Sequence, residues 1–477
     1  MVLVNPGRET FRNVAMSIAI VAMTLATVWL AISFGKLALF GVIGILGLIV
    51  AAYVGIRHPL WFFYGLAAVM AGLQFGRIPG ISLPIYLPLE FGCLVAAYFH
   101  PRLARSMHPL EFAVLALVIT SGISVVATGV SLTSASLFIR WALPSLLLFA
   151  LVSLSSEHLA RFGRIFAFVS ALNAVYGMYV VAFDPLNSSL RYLRVFGYSP
   201  EATAARFAFG AEGATQSVRL GGTWVEPNGA ALNLVLALSL SVLLFAGWRR
   251  VLIAAVLAAG LALTLSRASI FTVVFGVLLV LVFHPMKVRS RAAMIGLIAF
   301  AAAAAMLAEP VRRRIMTSLS GEDAGSIARA DALRAFPGLM SGHWGFGAGW
   351  ARPEFIDPAF SYVFNLPSNA PLTALYRGGS LVLISFMAVV VIGCVVAYRS
   401  LRSNSTPRAL YCGIFIGLCF VQMQLDHNVA DLPQNVLLYS MFLAFVLYCE
   451  RARIAERRAI GDEAESARVR EAVTVRT

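Results

Sequence analysis

Charge is what this chain has least of. Asp, Glu, Lys and Arg together make up 12% of its 477 residues, against about 25% in soluble domains. That scarcity excludes an ordinary soluble globular fold. Catalytic signatures are missing too. No HExxH, Walker loop, GxSxG or carboxylate-rich metal box occurs, so the chain lacks the sequence marks of zinc hydrolases, P-loop enzymes and serine hydrolases. No metal and no cofactor is expected. The five cysteines, Cys93, Cys394, Cys412, Cys419 and Cys449, show no CxxC spacing and all fall in apolar runs. They read as small buried thiols rather than a disulfide framework. The first apolar run is too long for a cleaved signal peptide and has no A-x-A site. Short alternating segments of the β-barrel kind are also absent.

What fills the chain is apolar sequence, 60% of all residues. A bilayer core needs about 20 such residues per helix. Spans are expected near 14–34, 37–56, 59–75, 84–99, 109–130, 137–154, 164–183, 229–247, 251–266, 268–283, 293–308, 371–397, 409–425 and 435–449. The pattern predicts an all-α polytopic membrane protein, a single membrane-embedded domain over 1–477 with about 12–14 transmembrane helices.

The net charge of +15 suggests nucleic acid until its position is considered. With a cytoplasmic N-terminus, the short cytoplasmic connections hold thirteen basic residues, from Arg57, Arg102 and Arg105 through Lys287 to Arg408. The opposite short connections hold four: Lys36, Arg77, Arg267 and Arg377. The positive-inside rule favours this orientation, with both termini cytoplasmic. A basic tail over 450–477 then faces anionic headgroups. Membrane lipids are the expected partners of this charge, and nucleic acid is not.

Two connections are long, and this topology exports both: 184–228 and 309–370. Loops of such length are functional or disordered, and their aromatics and glycines argue for function. Within the second, Ser326 to Phe336 reads as an amphipathic helix, apolar at Ile327, Leu333 and Phe336, ended by Pro337-Gly338. The stretch His343-Trp-Gly-Phe-Gly-Ala-Gly349 follows. Its glycines permit either a tight turn or close approach of backbone to a ligand. The tail after Cys449 is expected as a frayed helix or as disorder.

Single residues carry the remaining signals. Arg219, in RLGGTWVEPN, suits a phosphate or an interfacial anchor equally. Arg267 stands between two spans almost without a loop. A charge at membrane depth costs roughly 2.5–3.5 kcal/mol, so it needs a carboxylate, carbonyls or an anionic substrate. Glu90, the other lone charge in an apolar run, is a candidate partner. Asp426 and His427 fall in the last exported connection, with Asn428 and Asp431, as loop residues or as an acid–base pair.

Taken in order, RLGGTWVEPN (219–228), TLSRAS (264–269), the block from Arg329 through HWGFGAGW (343–350) and SNAPLTALYRGG (368–379) resemble the O-antigen ligase and Wzy-type polysaccharide polymerase superfamily. The resemblance covers roughly 215–450. It implies an inverting, metal-independent glycosyltransferase in the bacterial inner membrane. Such an enzyme takes an undecaprenyl-diphosphate-linked glycan at the periplasmic face and passes it to a glycan or lipid-linked acceptor, alongside other polysaccharide assembly proteins. Arginines matching Arg219 and Arg267 would hold the diphosphate. Arg329, Asn369 and Arg377 stand in the matched blocks and complete the expected substrate-binding set. The family's histidine before Asn369 is Ser368 here, so either the transfer needs no strong base or the acid–base role falls to His343, Asp426 or His427, with Glu354 and Asp357 as further candidates. That departure shifts the expectation toward polymerase. The competing readings are a flippase or transporter of lipid-linked glycans, a peptidoglycan-type glycosyltransferase and a non-enzymatic scaffold.

Overall fold

The computed structural model describes residues 57–79, 83–99, 106–199, 218–307, 324–352, 368–426 and 428–474, with isolated positions elsewhere. The expected spans 14–34 and 37–56 lie largely outside them. Among the described residues the chain is helical, with an isolated bridge between Arg77 and Pro84.

The helices are α1 (Leu60–Gly72), α2 (Tyr86–Phe99), α3 (Pro109–Thr128), α4 (Leu132–Ser153) and α5 (Ser156–Phe183). Then come α6 (Pro227–Leu244), α7 (Gly247–Leu263), α8 (Arg267–Phe283), α9 (Val288–Leu307) and α10 (Ala324–Leu339). The last are α11 (Ala370–Leu401), α12 (Thr406–Gly417) and α13 (Pro433–Thr474). Seven helices among the described residues are long and apolar enough to cross a membrane, and α1, α2 and α8 are shorter apolar helices. The protein is therefore an all-α multi-pass membrane protein.

Local chemistry sets the ends. The His108 ring accepts from Leu110 N while Glu111 accepts from His108 N, with Pro109 at the first helical position of α3. Ser131 and Ser134 bond reciprocally at the start of α4. Such caps satisfy backbone donors that the first turn leaves open. At the centre, 72% of the apolar window of α6 and 83% of that of α13 is buried, against 39% for α11. α6 packs on α5, α7 and α12, α13 packs on α4, and α11 closes the bundle against α3.

Successive helices are joined by short links, so counting crossings puts both long connections on one end of the bundle, the loop face. The N-termini of α6, α8 and α11 open on it. Arg249, Arg250, Lys287, Arg289, Arg399 and Arg402 lie at the opposite end, the far face.

Two expectations are corrected. The helix in the second connection does not stop at Pro337-Gly338 but runs to Leu339. Its packed face is Ala332, Phe336 and Met340, while Ile327 and Leu333 are half exposed; the reason is the partner surface, Leu375 and Tyr376 of α11, onto which Phe336 and Met340 close. Glu90 does not meet Arg267. It is fully buried in α2, which packs on α1 and α4, and neither carboxyl oxygen has a hydrogen-bond partner. The tail takes the helical of its two expected forms, as α13 continues in one helix from Pro433 to Thr474.

Candidate functional site

The segment before α6 folds back on the end of α7. Leu220 N donates to Leu263 O at 2.9 Å, and the Arg219 Nε donates to Thr264 O at 2.8 Å. The other arm of the guanidinium reaches Asn228 Oδ1, in the first turn of α6, at 3.0 Å. Arg267 follows three residues after Thr264, at the first position of α8, and is half-buried. The segment carrying Arg219 thus meets the one that leads into Arg267.

Both turns at this junction are strained. Glu226 N donates to Trp224 O at 2.5 Å across Val225, whose φ of 59° and ψ of −56° make a positive-φ γ-turn. This turn form is rare even without a branched side chain. Leu265 has φ 53°. With Asn187, these are the non-glycine residues at positive φ among the described ones. Such strain costs about 1–3 kcal/mol each and gathers where function requires it.

From α8 the network crosses to α12. Ser266 Oγ lies 3.4 Å from Ser269 Oγ, and Ser269 donates to Gln422 Oε1 at 2.9 Å. Gln422 ends a π-helical turn, Leu418–Gln422, that widens the end of α12; such turns recur at functional sites. Two residues on, Gln424 Oε1 accepts from Asn369 Nδ2 at 2.8 Å, while Asn369 Oδ1 caps α11 by accepting from Leu372 N at 3.0 Å. A string of polar side chains therefore runs across the loop face from α6 to α11. Gln422 and Gln424 were missed from sequence. The signal available was two amides inside the apolar run IFIGLCFVQMQLD.

A second cluster lies deeper. Arg377, eight residues after Asn369 and so about 12 Å along α11, is 7% exposed. Its guanidinium pairs with Asp431, donates to Ala430 O at 3.3 Å and stacks 4.7 Å over the Trp350 ring. Trp350 sits edge-on to Trp141 and Phe138. Above it, the glycine block packs backbone to backbone on the kink of α11: Ala348 N donates to Tyr376 O at 2.7 Å, and Ser380 N to Trp344 O at 2.9 Å. Gly379 has φ 77° inside α11, and a Cβ on Gly347 would stand 2.5 Å from Arg377 O. The glycine block turns, with His343 N donating to Met340 O and Gly347 N to His343 O, and its glycines also let its backbone close on α11, a use not read from the sequence.

The expected acid–base residues divide. Asp426 is buried at the end of the widened turn of α12, next to the Gln422–Gln424 string. His343 is half-buried in the glycine block, its backbone bonded to Met340 O and Gly347 N. His427, Glu354 and Asp357 lie outside the described residues. Arg329 is half-buried on α10. No cluster of metal-ligating side chains occurs among the described residues.

No protein-family model matches this chain, and no match was found among curated proteins.

Proposed function

We propose that the protein is a membrane-embedded glycan transferase of the bacterial inner membrane. It uses an undecaprenyl-diphosphate-linked glycan at the periplasmic face and polymerises or ligates surface polysaccharide without a metal. The observation that carries this reading is the convergence of Arg219 and Arg267 with the N-termini of α6, α8 and α11 on one face. Helix N-termini favour anions, and an arginine fork matches phosphate geometry. The strained turns at Val225 and Leu265 support a preorganised site.

In this reading the Arg219–Arg267 junction receives the diphosphate and stabilises it as it departs. Asn369, held by Gln424, positions the sugar side, and Arg329 approaches from α10. Asp426, His343 or His427 takes the acceptor proton. Arg377 acts through structure, holding the glycine block and the turn before α13 together. The loop face is then periplasmic and both termini are cytoplasmic. A cysteine tag near Gly325 should label from outside intact cells and a tag near Ser403 should not.

The deciding experiment is to identify the glycan that accumulates when the protein is removed. Single undecaprenyl-linked repeats indicate a polymerase and long undecaprenyl-linked chains a ligase. Loss of a transported solute with normal lipid-linked glycan overturns the proposal.

A further inference from the structure

Beside the loop face, on the outside of the bundle, lies an open groove of about 420 Å³. One wall is the outer face of α5: Val169, Leu172 and Tyr176 recur at helical spacing and give the groove a length of about 10 Å along the helix. Leu172 is 55% exposed and its neighbours Val175 and Tyr179 are each 50% exposed, so this wall faces the bilayer. The other wall is Tyr192 and Leu193, from a 3-10 helix at Ser188–Phe196.

The floor is polar but satisfied. Asn173 donates to Ala71 O and to Thr223 Oγ1, and Thr223 donates to Gly72 O. The Tyr176 and Ser189 hydroxyls bond each other at 2.8 Å. With these groups spent on one another, the groove offers a guest apolar surface rather than hydrogen bonds.

Its mouth is charged. The 3-10 helix buries Leu190 and exposes Arg191 and Arg194. The Arg191 guanidinium lies 5.0 Å over the Tyr192 ring and donates to the Tyr192 hydroxyl at 3.0 Å. A cation is thereby fixed on the residue that forms the groove's rim. Among the described residues of this segment one carboxylate stands nearby, Asp184, and it accepts from the backbone N–H groups of Ser188 and Ser189 at 2.8 and 2.7 Å. Two guanidiniums against one carboxylate, among those described residues, make the rim positive.

An apolar trough open to the bilayer beneath a positive rim at the membrane boundary is complementary to one class of molecule. We propose that this groove is a specific site for an anionic phospholipid, with an acyl chain along α5 and the phosphate on Arg191 and Arg194. The site stands independently of glycan transfer. The arginines select the headgroup by charge, and the trough holds the chain by exclusion of other lipid.

The test is native mass spectrometry of the detergent-solubilised protein titrated with phosphatidylglycerol or phosphatidylcholine carrying identical acyl chains. The wild type should retain one phosphatidylglycerol preferentially. Arg191→Ala/Arg194→Ala should reduce that preference by about fivefold for each arginine removed, while Arg249→Ala/Arg250→Ala on the far face should leave it unchanged. Leu172→Trp, at a lipid-exposed position, should fill the trough and lose the retained lipid of either headgroup without lowering Tm. Unchanged preference in the arginine variant, or a retained lipid in Leu172→Trp, overturns the proposal. So does displacement of phosphatidylglycerol by equimolar undecaprenyl phosphate, which would assign the groove to an isoprenyl lipid.

Discussion

Arg219 and Arg377 are both arginines held near one end of the same bundle, and their surroundings differ. Arg219 is gripped by a carbonyl and an amide, Thr264 O and Asn228 Oδ1. Arg377 is gripped by a carboxylate and an indole face, which neutralise it in a sealed setting. The backbones differ in the same sense. Around Arg377 the positive-φ positions are filled by Gly347, Gly349 and Gly379, where left-handed geometry costs little. Around Arg219 they are filled by Gly222 but also by Val225 and Leu265. The first region packs closely through its glycines. The second retains strain at two positions that a glycine would have relieved, and such strain gathers where function requires it.

The comparison breaks most sharply at the ion pair. Removing one partner of a buried pair costs about 3–5 kcal/mol, whereas replacing both with apolar groups is often nearly neutral. Arg377→Met and Asp431→Leu should each lower thermal stability in detergent severely, and the double variant should recover most of the loss. If Arg377→Met instead leaves Tm intact and abolishes glycan output, Arg377 belongs with the substrate-binding arginines.

Next in size is Arg267→Ala. A charge-assisted contact contributes roughly 1.5–3 kcal/mol, so donor use should fall about tenfold to a hundredfold at unchanged Tm, with partial rescue by Lys. Normal glycan output from a folded Arg267→Ala protein would refute the diphosphate role and erase the functional side of the contrast.

Val225→Gly tests the strain itself. Relief of about 1–3 kcal/mol, less about 0.5–1 for the added backbone freedom, should leave the protein modestly more stable while transfer slows. A variant that loses stability, or that transfers at the full rate, would show that the γ-turn is not a device of the site.

The smallest effect concerns Asp184 at the end of α5. Burial works to raise its carboxyl, but bonds from Ser189 and Ser188 outweigh this and hold it below its ordinary value of 3.8. A carboxyl lowered by folding stabilises the protein above that ordinary value, and the contribution fades as pH falls through the lowered one. Asp184→Asn keeps one acceptor for two backbone N–H groups, so it should lower Tm slightly at neutral pH and converge with the wild type below about pH 4, as read from Tm across an acid titration.

Span positions were legible because the length of an apolar run is local information; α3, α8 and α11 begin within a residue or two of their expected starts. Arg267 stood out in the sequence for the same reason, as a lone cation at the edge of such a run. Faces and partners were not. Nothing near Phe336 says that it, rather than Leu333, meets α11, because that depends on Leu375 and Tyr376 some forty residues away. The pairing of Arg377 with Asp431 spans 54 residues and leaves no periodic trace. Glu90 illustrates the same limit, since a lone charge advertises a need without naming what meets it.

The continuous α13 has a mechanical consequence. At 42 residues it is about 63 Å long, roughly twice the thickness of a hydrocarbon core. Its inner half is riveted to α4, where the Ser440 hydroxyl donates to Pro144 O and the Arg451 guanidinium to Val152 O, both at 2.7 Å. The helix continues past these bonds to Thr474. A helix clamped at one end is a lever, so a push or twist applied to its far end would be delivered to the seam between α13 and α4.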